Sequence, residues 1–181
     1  MNLDALVEAL PAYAKDLKLN LSSLVRNQTE LTPSQLWGTV VASAVASRNR
    51  ELTQAALAEA SVQAPEVVEA AKSAAAIMGM NNIYYRFTHL VSNEKYRSLP
   101  ARLRMNVMRS HGASEVDFEL WCTAASAVNG CAACVDAHER TLREKGVTEE
   151  VVAAAVRIAA VIHAAATVLD AEQAVAAAAS A

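Results

Sequence analysis

Residues 115–145 have the sequence EVDFELWCTAASAVNGCAACVDAHERTLREK, in which two apolar-periodic segments flank Asn129-Gly130. Apolar residues recur at helical spacing from Glu115 to Val128 and again from Cys131 to Lys145. An Asn-Gly pair favours a turn or a helix start, and Gly146 can end the second helix. The stretch therefore predicts a helical hairpin whose second helix begins at a cysteine.

Helical periodicity also covers most of the remaining chain, and no strand-like alternation stands out. We predict further helices over Leu3–Tyr13, Thr32–Ala46, Asn49–Ala60, Pro65–Tyr85 and Thr148–Ala179. Residues 86–109 are predicted to form a connection that carries short helical pieces. The alanine excess and the 4% aromatic content favour closely packed helices over sheets. The predicted fold is all-α, with residues 1–181 forming a single domain.

A weak internal repeat links two parts of the chain. Gln35-Leu36-Trp37-Gly38-Thr39 resembles Glu119-Leu120-Trp121-Cys122-Thr123, and alanine-rich segments follow both. The repeat predicts two related helical halves, at about residues 30–85 and 115–170. Because only the second half carries a close cysteine pair, we expect the first half to serve as scaffold.

Net charge and segment composition bear on location and partners. A net charge of −3 gives no general electrostatic reason to bind nucleic acid or an anionic membrane. Met1-Asn2-Leu3-Asp4 lacks the pattern of a secretory signal, and Arg157 and His163 interrupt the apolar segment that begins at Val151. We therefore expect a cytoplasmic protein without a membrane span. In that reducing compartment a close cysteine pair is catalytic or metal-binding more often than structural.

The second helix of the predicted hairpin carries the chemically reactive residues. At about 100° per residue, Cys131, Cys134 and His138 share one helix face. A helix N-terminus or a neighbouring histidine stabilises a thiolate, the form of cysteine that attacks peroxides and disulfides. The helix start favours Cys131 as the nucleophile, whereas the imidazole one turn away favours Cys134, so both stay candidates. The pattern indicates redox chemistry.

Glu119 lies about as far before the turn as His138 lies after it. If the two helices fold back at Asn129-Gly130, the Glu119 carboxylate can orient the imidazole as the third member of a nucleophile, base and orienter set. The alternative is that Glu119 is a solvated charge. Zinc binding by Cys131, Cys134 and these two residues is disfavoured, because most structural zinc sites have a second Cys or His pair.

Several other residues are expected to be structural. Cys122 occupies the position of Gly38 in the repeat, which predicts a small buried core residue. In the run Met78-Gly79-Met80-Asn81-Asn82, we expect a close helix contact at the glycine and a polar helix end at the asparagines. The remaining histidines are expected to be structural or exposed; they are His89, His111 and His163.

Longer stretches of the chain resemble a known family. They are residues 10–20, 35–39, 76–82, 103–106 and 118–121, together with Cys131-x-x-Cys134-x-x-x-His138. These motifs resemble the alkylhydroperoxidase D (AhpD) family, and Glu119 followed by the cysteine motif is also typical of the wider carboxymuconolactone decarboxylase superfamily. The resemblance covers nearly the whole chain.

The resemblance implies an AhpD-like all-helical fold with two related halves, assembled as a homotrimer. It implies a thiol peroxidase that reduces organic hydroperoxides and also reduces the disulfide of a partner peroxiredoxin, AhpC. It further implies that no cofactor is bound, and that dihydrolipoamide serves as the electron-donating substrate. The natural donor would then be the dihydrolipoyl group of a 2-oxoacid dehydrogenase acyltransferase.

The resemblance also implies a role for each motif residue. Cys134 is the attacking thiol that becomes a sulfenic acid, and Cys131 is the resolving thiol and proton donor that forms the redox disulfide with it. Glu119 and His138 form a proton relay. The chain departs from close relatives at Ala133, where those relatives can carry a histidine, so any auxiliary role of that side chain is absent.

Three other functions remain to be weighed. The first is a dedicated disulfide reductase whose peroxidase activity is incidental. A decarboxylating lyase is disfavoured because its chemistry does not need the cysteine pair. A zinc-binding interaction module is disfavoured by the number of ligands.

Overall fold

The computed structural model describes residues 3–179, and its regular structure is helical throughout that part of the chain. The prediction of an all-α fold is confirmed. The α-helices are α1 (Leu3–Glu8), α2 (Lys15–Arg26), α3 (Pro33–Ser47), α4 (Arg50–Gln63), α5 (Val68–Leu90), α6 (Lys95–Ser98), α7 (Glu115–Val128), α8 (Ala132–Glu144) and α9 (Glu149–Ala179). Short 3₁₀ helices cover Ala12–Ala14, Pro65–Val67 and Asn106–Arg109.

The prediction of one helix over Leu3–Tyr13 is wrong. Pro11 has no amide N–H and disfavours helical geometry at the residue before it, so α1 ends at Glu8. A 3₁₀ turn and then α2 follow. Leu21 of α2 is buried in the hydrophobic core, and sequence reasoning did not assign this helix.

Helix α5 runs further than predicted. It passes through Asn81 and Asn82 without ending and stops at Leu90, so residues 86–90 belong to the helix rather than to the connection. Both asparagines are buried instead of capping a helix end. Gly79 has open space where a Cβ would stand, so the predicted close contact there is also wrong.

Helices α3, α7 and α9 contact one another and form the centre of the hydrophobic core. Helices α3 and α7 approach each other closely at Gly38, where a Cβ would lie 2.1 Å from the indole of Trp121. Trp121 is fully buried, and no side chain larger than hydrogen fits beneath it at this crossing. The repeat positions thus form the contact between the two predicted halves.

The extent of the predicted halves and of the single domain stays a prediction. Helices α3 and α4 lie within the first predicted half, and α5 begins there and ends beyond it at Leu90. Helices α7 and α8 lie within the second half, and α9 begins there and ends beyond it at Ala179. One hydrophobic cluster includes buried residues from Leu3 on α1 to Ala166 on α9, so the two halves share a core.

Helix α9 is long and apolar enough to cross a membrane when judged by length and composition alone. Arg157 and His163 still interrupt its apolar sequence, and the absence of a membrane span stays a prediction. Within the protein, 44% of its most apolar 18 residues are buried. Ala155, Ile158 and Ile162 lie in the core, which accounts for the apolar composition of this helix.

Candidate active site

The turn between α7 and α8 places Cys131 at the start of a helix, as the Asn-Gly pair predicts. Gly130 has a φ of 69°, a conformation that favours glycine. Cys131 is the N-cap residue of α8, and its carbonyl accepts hydrogen bonds from the amides of Cys134 and Val135 at 3.0 Å. Cys131 therefore stands at the N-terminus of α8, and its side chain makes no capping hydrogen bond to the helix.

Cys131 and Cys134 form a disulfide. Cys131 is fully buried, whereas Cys134 keeps 6% of its surface exposed. The spacing predicts that these two thiols lie within reach of each other, and the structure joins them.

His138 and Glu119 form a close pair across the two helices of the hairpin. The imidazole Nδ1 lies 2.6 Å from Oε2 of Glu119, a distance typical of a charge-assisted hydrogen bond. Both side chains are nearly buried, with exposed fractions of 12% for His138 and 14% for Glu119. The fold-back thus brings these residues together, and the alternative of a solvated Glu119 is wrong.

The second ring nitrogen of His138 contacts a residue that sequence reasoning did not select. Nε2 lies 3.2 Å from the thioether sulfur of Met78 on α5. The ring nitrogens therefore contact Glu119 and Met78, rather than Cys134, while the cysteines are joined in a disulfide. Met78 is fully buried beneath the site.

A buried polar network connects Met78 to the turn that precedes Cys131. Ser126 donates a hydrogen bond to the Met78 sulfur at 3.3 Å and accepts one from Asn82 at 2.9 Å. Asn82 in turn accepts a hydrogen bond from the side-chain amide of Asn129 at 2.9 Å. The Asn129 carbonyl accepts a hydrogen bond from Arg86 at 2.7 Å. The network therefore fixes the turn and the imidazole relative to each other.

This network corrects the prediction that the first half is only scaffold. Met78, Asn82 and Arg86 lie on α5, within or next to residues 30–85, and all three support the site. The available signal in the sequence was their spacing of four residues, which places them on one face of a helix.

A cavity of about 450 Å³ opens beside Cys134 and His138. Its other walls include Asn81, Tyr85, Met105 and Met108. The walls are mainly apolar, which suits the alkyl group of an organic substrate. Ala133 also borders this cavity, at the position where relatives can carry a histidine.

A second, more open cavity of about 530 Å³ lies against the N-terminus of α8. Cys131 and Ala132 border this second cavity, whereas Cys134 and Ala133 border the first. The two alanines inside the cysteine motif therefore face different spaces.

The third cysteine is separate from this chemistry. Cys122 is a free, fully buried thiol on α7, as its place in the repeat predicts. Burial, followed by the nearby negative charge of Glu119, raises the pKa of the Cys122 thiol well above its ordinary value. At neutral pH this residue is a thiol rather than a nucleophilic thiolate.

The remaining histidines have contacts of their own. The His111 ring stacks on Phe118, with 4.0 Å between the ring centroids. His163 is exposed beside Ser47. His89 is exposed at the rim of the first cavity, where its Nδ1 lies 2.9 Å from a backbone carbonyl. The expectation that these residues are structural or exposed is confirmed.

No group of three or more His, Cys, Asp or Glu side chains within residues 3–179 is arranged to hold a metal ion. In the described site the two cysteine sulfurs are bonded to each other.

Comparison with known proteins places this geometry in a family. The model of the carboxymuconolactone decarboxylase family matches residues 94–177, a segment that contains the whole hairpin. An alkyl hydroperoxide reductase AhpD from Acidobacterium capsulatum is 63% identical over 174 residues, which are 96% of this chain and 95% of the relative. The AhpD of Koribacter versatilis is 58% identical, over 96% of this chain and 90% of its own length.

A third relative gives the same result. The AhpD of Solibacter usitatus is 57% identical over 95% of this chain and 97% of its own length. With identities of this size over nearly the whole chain, and with its cysteine pair beside a histidine and a glutamate, the protein belongs to the alkyl hydroperoxide reductase AhpD family.

Proposed function

We propose that this protein, an oxidoreductase by its family, is a thiol peroxidase that reduces organic hydroperoxides through the Cys131–Cys134 pair. The observation that carries the proposal is the position of Cys134, on the wall of an apolar cavity and beside the paired His138 and Glu119. The names of the relatives, alkyl hydroperoxide reductase, support the same substrate class.

Cys134 is the proposed nucleophile, because it borders the mainly apolar cavity together with His138. His138 accepts the proton of the thiol, and the thiolate attacks the distal oxygen of the hydroperoxide. The O–O bond breaks, Cys134 becomes a sulfenic acid, and the alkoxide leaves as an alcohol after taking the proton from His138. Glu119 orients the imidazole and stabilises its positive charge during this transfer.

Cys131 is the proposed resolving residue. Its thiol attacks the sulfenic acid sulfur, a disulfide forms, and the sulfenic oxygen leaves as water. Because Cys131 is fully buried next to Cys134, hydroperoxide reaches Cys134 more easily than it reaches Cys131.

Return to the dithiol form requires an external reductant. We propose that a dihydrolipoyl group on a 2-oxoacid dehydrogenase acyltransferase reopens the disulfide, and that the reduced protein also reduces the disulfide of the peroxiredoxin AhpC. No bound cofactor is needed, since each step is a thiol–disulfide exchange. We further propose a homotrimer in the cytoplasm, where low-molecular-weight thiols stay reduced.

Sulfenic acid trapping tests the assignment of the two cysteines. After treatment with one equivalent of cumene hydroperoxide, Cys131→Ser should react with dimedone, because the attacking thiol remains, whereas Cys134→Ser should not. The wild-type protein should instead lose about 2 Da as its disulfide forms. Labelling of Cys134→Ser alone would overturn the assignment.

The two alanines of the cysteine motif give a matched test of the cavity. Ala133→Leu narrows the cavity at Cys134 and should slow oxidation by cumene hydroperoxide. Ala132→Leu is the same change on the neighbouring residue, which borders the other cavity, and should leave that rate within about twofold. Equal losses in both variants would show that the first cavity does not admit the substrate.

A reductant assay tests the electron donor and separates the peroxidase from a dedicated disulfide reductase. Dihydrolipoamide should reduce the oxidised protein, and NADH alone should not. The reduced protein should consume hydroperoxide in the absence of AhpC. Turnover only when AhpC is present would support the reductase instead.

A further inference from the structure

The sulfur of Met78 is a meeting point for hydrogen-bond donors inside the protein. His138 Nε2 lies 3.2 Å from it, Ser126 Oγ 3.3 Å and Asn82 Nδ2 3.7 Å. Met78 is fully buried, and so are Ser126 and Asn82. A buried methionine ordinarily fills space among apolar side chains, whereas here polar groups from three helices converge on its thioether.

A thioether can accept a hydrogen bond but cannot donate one. The contact between His138 and Met78 is therefore a hydrogen bond only when the proton is on Nε2. On the other side of the ring, Nδ1 faces the carboxylate of Glu119, which in its ionised form is also only an acceptor. Both contacts are hydrogen bonds at the same time only for an imidazole that donates from both ring nitrogens.

A disulfide sulfur is a poor partner for this proton, and a thiolate is a good one. When a dithiol opens the disulfide, its first sulfur bonds to one cysteine and the S–S electron pair leaves with the other cysteine as a thiolate. The second sulfur of the reductant then closes the reductant's own disulfide and releases the first cysteine, so that a Cys134 thiolate becomes available one helical turn from His138. A hydrogen bond to an anion is stronger than one to a neutral thioether. The proton on Nε2 then has a better acceptor than Met78.

We propose that Met78 is a positioning residue for His138. The Met78 sulfur accepts the hydrogen bond from Nε2 while the disulfide is closed, and the Nε2 proton passes to Cys134 when the disulfide opens. This inference rests on the proposed function, because it assumes that the cysteine pair cycles. The hydrogen bonds from Ser126 and Asn82 keep the Met78 sulfur in place, and Asn82 connects it to the turn before Cys131.

A double-variant experiment separates positioning from packing. Met78→Leu keeps an apolar side chain of similar size and removes the acceptor. It should slow single-turnover reduction of the oxidised protein by dithiothreitol about three- to tenfold near neutral pH, as expected for one lost hydrogen bond, and should shift the pH profile of that rate. In a His138→Gln background the same change should have an effect of less than about twofold.

Met80→Leu is the matched control, since it is the same substitution on α5, two residues along and on the opposite face. It should leave both the rate and the pH profile unchanged. An equal loss from Met78→Leu with and without His138 would show that Met78 only packs, and an unchanged rate would show that it has no role. Either result overturns the inference.

Nuclear magnetic resonance of the imidazole keeps the test independent of turnover. In the oxidised wild-type protein the His138 Nε2 proton should be protected from exchange with water, and it should shift when dihydrolipoamide or dithiothreitol opens the disulfide. If Met78→Leu does not fold, the comparison of the oxidised and reduced wild-type proteins decides alone. A His138 Nε2 proton resonance that is the same in both states overturns the inference. A protein that shows the shift but does not reduce hydroperoxide would refute the proposed function and leave Met78 in its role.

Discussion

Gly38→Ala should destabilise the protein because of the crossing between α3 and α7. The added methyl group would lie 2.1 Å from the Trp121 indole, well inside van der Waals contact. The indole is a rigid ring, and Trp121 is fully buried, so it has no open space into which it can turn. One of the two helices must therefore move.

The size of the effect is a difference between two terms. Alanine is favoured over glycine inside a helix by about 1 kcal/mol. Overpacking a well-packed core costs about 1–3 kcal/mol, and a clash with a rigid ring belongs at or above the upper end of that range. The expected loss in the free energy of unfolding is about 2 kcal/mol, which corresponds to a Tm lower by about 4–8 °C for a chain of this length.

Gly79→Ala is the matched control, because Gly79 also lies inside a helix but has nothing within 4 Å of the added methyl group. It should raise the free energy of unfolding by up to about 1 kcal/mol. Urea denaturation followed by circular dichroism measures both variants. A Gly38→Ala protein that is as stable as the wild type, or changes in the same direction for both variants, would refute the packing argument.

Three further predictions concern the site and the assembly. Glu119→Gln and His138→Gln should each slow hydroperoxide reduction about 100-fold, and the double variant should be much less impaired than the product of the two effects, since both act in one proton transfer; strictly multiplicative losses would contradict the relay. Iodoacetamide at pH 8 should modify Cys134 in the reduced protein but not Cys122, whose raised pKa keeps it protonated at that pH, until denaturant restores its ordinary value; equal labelling in the folded protein would contradict this. Light scattering should give a particle of about 58 kDa, three times the 19.2 kDa chain, and a monomer at micromolar concentration would refute the trimer.

The sequence predicts the hairpin and its four reactive residues because they are close together along the chain. Glu119 and His138 lie on the two helices that the Asn-Gly turn connects. Helical periodicity together with that turn is enough to predict that the two residues lie level with each other. The two cysteines are within a single helical turn of each other. Local geometry thus accounts for every contact that was predicted correctly.

The contacts that were missed are those between distant parts of the chain. Met78 reaches His138 from another helix, and its sulfur is not distinguishable in the sequence from that of an ordinary core methionine. Asn81 and Asn82 suggested a helix end because polar side chains are uncommon in the buried part of a helix. Only the packing of α5 against α7 reveals that Asn82 has a buried partner, Ser126. The break at Pro11 shows the opposite error, where periodicity was followed across a proline.

The network through Met78 has a consequence for protein engineering. A designer who grafts residues 115–145 onto another helical hairpin moves both cysteines, the histidine and the glutamate in a single piece. Met78, which supplies the thioether, lies outside the grafted residues and is lost. The grafted imidazole then has water or nothing at Nε2, and its orientation is free to change between redox states. A graft that is meant to cycle therefore needs a third helix carrying a methionine and an asparagine four residues apart.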